Sequence, residues 1–388
     1  MSDHIMPTYA SLPIRFSRGL GPRLWDSEGK VYLDALSGIA VCGLGHAHPV
    51  VAEAICQQAH TLLHTSNIYR IEQQELLADR LCALTGMDNV FFGNSGAEAN
   101  EAAIKISRRF AHQKGIEQPL IITFQNSFHG RTLATLTATG NDKVKQGFAP
   151  LPAGFLHLPY NDLEAVQHAA EQSDNIVAIL VEPAQGEGGV RIPDPGYLAG
   201  LRALCDQHDW LLMTDEIQTG IGRSGHFLAS EISDIKPDVL TLAKALANGV
   251  PIGACLTSGK AADLLGAGSH GSTFGGNPLS CSAALAVLQV LEDEHLIERA
   301  ATLGQRIHDE FCSRLQDHPL VKDIRHMGML FGIELTQDCP QLVGQALDQG
   351  LLINVTAGNV IRLLPPLIIS DAEAEQIVDQ VCQLVLAL

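Results

Sequence analysis

Lys244 follows an apolar run, Val239-Leu240-Thr241-Leu242-Ala243, and leads into Ala245-Leu246-Ala247. Among the nine lysines of the chain it has the most apolar surroundings. Burial disfavours an ammonium ion, so such a lysine sheds its proton readily and can form a Schiff base. The alternative is a lysine whose stem lies on apolar surface while its head reaches water. Asp215 ends another apolar run, Leu211-Leu212-Met213, at the place where open α/β sheets hold their ligands. A carboxylate merely solvated at a strand end would look the same. Ser95-Gly96-Ala97 open a helical segment and offer a hydroxyl, backbone N–H groups and a positive dipole end to a phosphate, although a plain helix cap needs no more. Taken together, phosphate at Ser95, an aldehyde carbon at Lys244 and a protonated ring nitrogen at Asp215 match pyridoxal phosphate.

Other motifs are weaker. G-x-G-x-x-G occurs at Gly220, Gly222 and Gly225 and again at Gly266, Gly268 and Gly271, but neither stands between a strand and a helix as a dinucleotide site requires. The 16 histidines form no H-E-x-x-H, so no metal site is expected. His46 and His48 are expected to cap a turn before Pro49. Nine cysteines without a C-x-x-C pair point to reduced, mostly buried thiols and no disulfide framework.

Short apolar runs at 89–92, 120–124, 176–181, 210–214, 239–242 and 252–257 alternate with amphipathic segments such as 97–113. This is the pattern of an α/β fold with a mainly parallel sheet covered on both faces. From Asn277 the pattern becomes two long helices, 279–294 and 297–315, then strands at 321–325, 329–335 and 360–364, and a last helix at 371–386. The expected organisation is an N-terminal segment, 1–50, packed on a small α+β domain, 277–388, with a large α/β domain, 51–276, between them. Within the first segment, 25–26 and 31–34 around Gly29 read as a hairpin.

The 388 residues carry 18% charged side chains, below the usual quarter, which suits a chain whose surface is partly covered by another subunit. The formal charge of −18 argues against nucleic acid or an anionic membrane as partner. There is neither a signal-like start nor a run of membrane-spanning length, so a soluble, cytoplasmic protein is expected.

Five segments in order, 94–102 (NSGAEANEA), 127–132 (SFHGRT), 182–189 (EPAQGEGG), 214–220 (TDEIQTG) and 242–246 (LAKAL), resemble the class III pyridoxal-phosphate aminotransferases. Within that class they look most like the acetylornithine aminotransferases. The resemblance runs from about Tyr9 to the C-terminus and implies a fold-type-I homodimer. By it, Lys244 would bind the cofactor covalently and shuttle the proton, and Asp215 would keep the pyridine nitrogen protonated. Gln218 would bind the phenolic oxygen and Phe128 would stack on the ring. Ser95, Gly96 and Ala97 would hold the phosphate, with Thr273, in the segment 271–278 that includes Ser272, reaching in from the second subunit; Ser272 is a further substrate-side candidate.

The same resemblance implies that Arg131 binds the α-carboxylate of the amino donor and Arg362 that of 2-oxoglutarate. Glu187 would mask Arg362 in the first half-reaction. Enzymes of the class that use free ornithine usually carry Tyr where Ile39 stands, so an Nα-acylated donor is implied. Tyr9 is a further candidate donor contact. The expected reaction passes the δ-amino group of N-acetylornithine to 2-oxoglutarate. Succinylornithine or N-succinyl-diaminopimelate as donor, a pyridoxal-phosphate isomerase or racemase, and a non-catalytic dimeric binding protein remain alternatives.

Overall fold

The computed structural model describes residues 4–388. Strands β1 (Phe16–Leu20), β2 (Arg23–Asp26) and β3 (Val31–Asp34) form an antiparallel meander. The large sheet is built from β4 (Asn89–Gly93), β5 (Leu120–Phe124), β6 (Phe155–Leu158), β7 (Ile176–Val181), β8 (Leu211–Asp215), β9 (Val239–Leu242) and β10 (Gly253–Thr257). The C-terminal part holds β11 (Val321–Met327), β12 (Leu330–Leu335), β13 (Leu351–Leu352), β14 (Asn354–Thr356) and β15 (Val360–Leu363).

The large sheet has the order β4-β10-β9-β8-β7-β5-β6. It is parallel from β9 to β6, whereas β10 runs antiparallel to both its neighbours. Its strands are apolar on both faces because helices cover both. On β8, Leu211 and Met213 pack in the layer of the Gly96–Gln113 helix with Ala99 and Ile104, while Leu212 packs opposite with Leu198 and Leu201 of the Tyr197–His208 helix. β8 begins at Leu211, one residue later than the apolar run, and extends through Asp215.

The C-terminal sheet has the order β11-β12-β15-β14, and β13 leaves it to pair in parallel with β3, Leu351 opposite Leu33. The N-terminal hairpin is thus hydrogen-bonded to the C-terminal part. One apolar core holds Leu33, Leu81, Leu246, Leu288 and Val385 together, so the stretches 1–50, 51–276 and 277–388 share a core.

The two early histidines do not cap the turn. His46 Nε2 lies 2.8 Å from Asp34 Oδ2, and that hydrogen bond, followed by one to Cys42, holds its pKa up to about 9. His48 takes the N-cap position of the Pro49–Thr61 helix but makes no side-chain cap bond. Its Nε2 points instead to Glu294, 3.8 Å away. Among the described residues no helix is long and apolar enough to cross a membrane.

Candidate active site

The carboxyl ends of β8 and β9 and the start of the Gly96–Gln113 helix meet at one cavity of about 370 Å³. Helix geometry leaves the first N–H groups without an internal partner, and those of Gly96 and Ala97 belong to residues on the cavity wall. Ser95 Oγ accepts from Glu98 N–H at 3.2 Å and starts the helix. Gly96 lets the helix start pack closely on Ile217, whose Cδ1 would lie 2.6 Å from a Cβ at 96.

Asp215 is the last residue of β8 and is buried. Its Oδ2 accepts from Asn100 Nδ2 at 2.7 Å and lies 2.8 Å from His129 Nδ1, and its Oδ1 accepts from Ile217 N–H at 3.1 Å. Asn100 is held in turn by Thr241 Oγ1, which donates to its Oδ1 at 2.8 Å. These bonds fix the direction of the carboxylate. Lys244, two residues past β9, has φ +41°, a left-handed conformation that costs a non-glycine residue roughly 1–2 kcal/mol. Removal from water lowers its pKa, and the nearby carboxylates of Glu187, Asp215 and Glu182 offset only part of that.

Phe128 forms part of the wall, and the exposed Arg131 places its guanidinium 5.3 Å from the centre of that ring. Glu182 accepts from Phe128 N–H at 2.9 Å, and burial pushes its carboxyl up to about 7. At the far side Glu187 Oε1 accepts from Arg362 Nη1 at 2.7 Å. Arg362 is 1% exposed and also donates to Asn354 Oδ1 at 2.9 Å and to Gln218 Oε1 at 3.4 Å. Burial raises the Glu187 carboxyl, but Arg362 outweighs it and the net pKa is lowered.

Ser95, Gly96, Ala97, Phe128, Arg131, Glu187, Asp215, Gln218 and Lys244 thus line a single cavity, with Arg362 directly behind Glu187. Tyr9, Ile39 and Ser272 are not on that wall, and Thr273 is the residue expected to serve the second subunit's cavity. Tyr9 is 84% exposed. Ile39 is half-buried against the apolar group of Ala184, Val190, Leu330 and Leu364. Val41, two residues on, stands on the cavity wall in its place. Ser272 Oγ accepts from Asn94 Nδ2 at 3.0 Å, which sets it at the rim, and Thr273 is exposed.

The aminotransferase class-III family model matches residues 5–385. The chain belongs to this family. The acetylornithine aminotransferase of Nitrosomonas europaea is 56% identical, with 99% of this chain and 98% of that protein aligned. Among solved structures, the ornithine aminotransferase of Toxoplasma gondii superimposes with a TM-score of 0.96 at 37% identity, covering 99% of this chain and 93% of that one. A second structure of that enzyme is described as having partial occupancy of PLP at its active site. The acetylornithine aminotransferase of Elizabethkingia anophelis has a TM-score of 0.88 at 37% identity, covering 99% and 97%.

Wall or support residues of this aminotransferase that the sequence did not single out include Val41, Asn100, His129 and Glu182. Asn100, His129 and Glu182 lie inside the matched segments. Asn100 was visible as an amide on an otherwise alanine-rich helix face. The donor set fits pyridoxal phosphate: free helix N–H groups for an anion, an oriented buried carboxylate for a ring N–H, and an amine of lowered pKa for an aldehyde.

Proposed function

We propose that this aminotransferase moves the δ-amino group of N-acetylornithine to 2-oxoglutarate, giving N-acetylglutamate 5-semialdehyde and glutamate, with pyridoxal phosphate as cofactor. The observation that carries the reading is the Glu187–Arg362 pair: a carboxylate-binding arginine held closed by a carboxylate within the same cavity as Lys244. The high similarity to acetylornithine aminotransferases over the full chain supports the donor. When bound, pyridoxal phosphate supplies an electron sink for the carbon that loses its proton.

Ser95, Gly96 and Ala97 would hold the phosphate, Asp215 would keep the ring nitrogen protonated, Gln218 would bind the phenolic oxygen and Phe128 would lie against the ring. Lys244 Nζ would hold the aldehyde carbon and is placed to take and return the substrate proton, a role suited to an amine of lowered pKa. Arg131, exposed at the mouth, binds the donor α-carboxylate and leaves the distal amine to reach Lys244. While the donor is bound, Glu187 keeps Arg362 occupied. When 2-oxoglutarate enters, Glu187 yields and Arg362 takes the new carboxylate in a bidentate pair.

The working unit in this reading is a homodimer whose second copy supplies Thr273. Its support is an exposed apolar group, Ile68 (83%), Tyr69 (69%) and Phe274 (61%), on two segments tied by Asn67 Nδ2, which donates to Ser272 O at 3.1 Å and Gly275 O at 2.9 Å. Nine unpaired cysteines, five of them buried, support a reducing, cytoplasmic setting. The test is a donor panel with 2-oxoglutarate: acetylornithine, ornithine, succinylornithine, N-succinyl-diaminopimelate and 4-aminobutyrate. A kcat/KM for acetylornithine below that for ornithine or 4-aminobutyrate would overturn the assignment, and light scattering that gives a monomer would remove the dimer.

A further inference from the structure

Glu187 sits in a loop whose backbone is held by side chains. Four successive carbonyls accept side-chain hydrogen bonds: Glu187 O from Thr356 Oγ1, Gly188 O from Arg191 Nε at 3.1 Å, Gly189 O from Arg325 Nη2 and Val190 O from Arg325 Nε at 2.7 Å. The remaining Arg325 nitrogen, Nη1, is held by Glu334 at 2.8 Å and Asp323 at 2.6 Å. The loop is also packed without slack. A Cβ on Gly186 would lie 1.8 Å from Gln218 Oε1, and one on Gly188 would lie 2.7 Å from the Asn126 carbonyl oxygen. Val190 is fully buried at φ +51°, a conformation that a β-branched residue adopts only when its surroundings impose it.

What grips the loop is the sheet that carries Arg362. Strand register sets Arg325 opposite Gly332, Gly332 opposite Arg362, and Arg362 opposite Asn354. Residues directly opposite one another share a face, so these four form one row across β11, β12, β15 and β14. Glycine leaves a gap in the middle of the row, and Val190 fills it: a Cβ on Gly332 would lie 2.8 Å from Val190 Cβ. The loop therefore crosses the sheet between two arginines. Arg325 takes its backbone and Arg362 takes the Glu187 carboxylate.

We infer that Arg325 is a positioning residue for the gate. It registers the Glu187 loop to the sheet bearing Arg362, so that Glu187 leaves Arg362 by turning its side chain on a stationary backbone. The inference rests on the reading that Glu187 masks Arg362. Without Arg325 two carbonyls lose their donors and Val190 can lift from Gly332, so Glu187 is held less firmly and Arg362 becomes open to a competing carboxylate in the resting enzyme.

The experiment is calorimetric binding of glutarate, a dicarboxylate with neither keto nor amino group, to the cofactor-loaded resting enzyme. Glu187→Gln should tighten glutarate by about tenfold, since a charge-assisted bond of about 1.5 kcal/mol or more is removed from the competitor. Arg325→Met should tighten it by about fivefold, and Arg325→Lys, which can reach one carbonyl, by less, with the acetylornithine KM of both within about twofold of wild type. Folded Arg325→Met and Arg325→Lys proteins with wild-type glutarate affinity, beside a tightened Glu187→Gln, would overturn the inference and leave the gate intact. A lowered melting temperature with unchanged affinity counts the same way, because a mere brace would do that. If Glu187→Gln itself does not tighten glutarate, the gate and this inference fall together.

Discussion

The two ends of the cavity are built on opposite plans. At the cofactor end the principal groups stand at the ends of regular elements: Ser95 to Ala97 begin a helix, Asp215 ends β8 and Lys244 follows β9. Asp215 is locked by Asn100, His129 and the Ile217 amide. At the substrate end the charges are paired with each other, Glu187 with Arg362, or left exposed, as is Arg131. A ligand that stays through the whole cycle is served by groups that cannot move. In the proposed reading two ligands alternate at the other end, and the Glu187–Arg362 pair supplies an arginine whose partner can be exchanged.

The largest effect expected from this contrast is at Lys244. Proton transfer by a positioned side chain contributes about 10²–10⁴-fold, so Lys244→Ala should lower kcat by at least about 10³-fold with the fold intact by circular dichroism; a loss under tenfold would break the contrast. Next comes Arg362→Ala. Truncating one member of a buried charge pair costs about 2–5 kcal/mol, and kcat/KM for 2-oxoglutarate should fall about 10²-fold or more while donor binding changes little. Arg131→Ala should raise the donor KM about tenfold, the loss of a charge-assisted bond at an exposed site, and leave the 2-oxoglutarate KM near wild type. Equal effects on both substrates would show that the two arginines share a role.

The smallest effect concerns the segment that brings Val41 to the wall, anchored through Asp34 and His46. His46 titrates near 6.5 when unfolded and at about 9 in the folded protein, held up chiefly by its bond to Asp34. A raised folded pKa means that the pair's stabilisation is complete below pH 6.5 and is lost as pH rises through 9. The difference in Tm between wild type and His46→Gln should be largest at pH 6 and close to zero at pH 10. A difference independent of pH would show that His46 acts there only by packing.

Much of the cofactor end was legible in the order of residues, because Asp215 and Lys244 close apolar runs of strand length and Ser95 opens a helix. The strands at 120–124, 176–181 and 239–242 have the bounds expected of them, since both faces of each are apolar. The partly buried strand Phe155–Leu158 gave no such signal. Ile39 was assigned to the donor side, but it lies in a turn where Ser37, Gly38, Ile39 and Ala40 all have φ between +47° and +64°. That left-handed path sends Ile39 into the small apolar group and Val41 to the cavity, and alternation along the chain cannot anticipate it.

The sequence by itself determined the α/β class, the carboxyl-end placement of Asp215 and Lys244, the helix start at Ser95 and the arginines available for carboxylates. These follow from local periodicity and from what burial does to charge. Tertiary structure decided the rest: that Asn100 and His129 orient Asp215, that Glu187 closes on Arg362, and that Arg325, Gly332 and Arg362 fall in one row beneath the loop. The contacts to Asp215 and Arg362 join residues 86 to 175 positions apart in the chain, and only strand register and close packing bring them within reach.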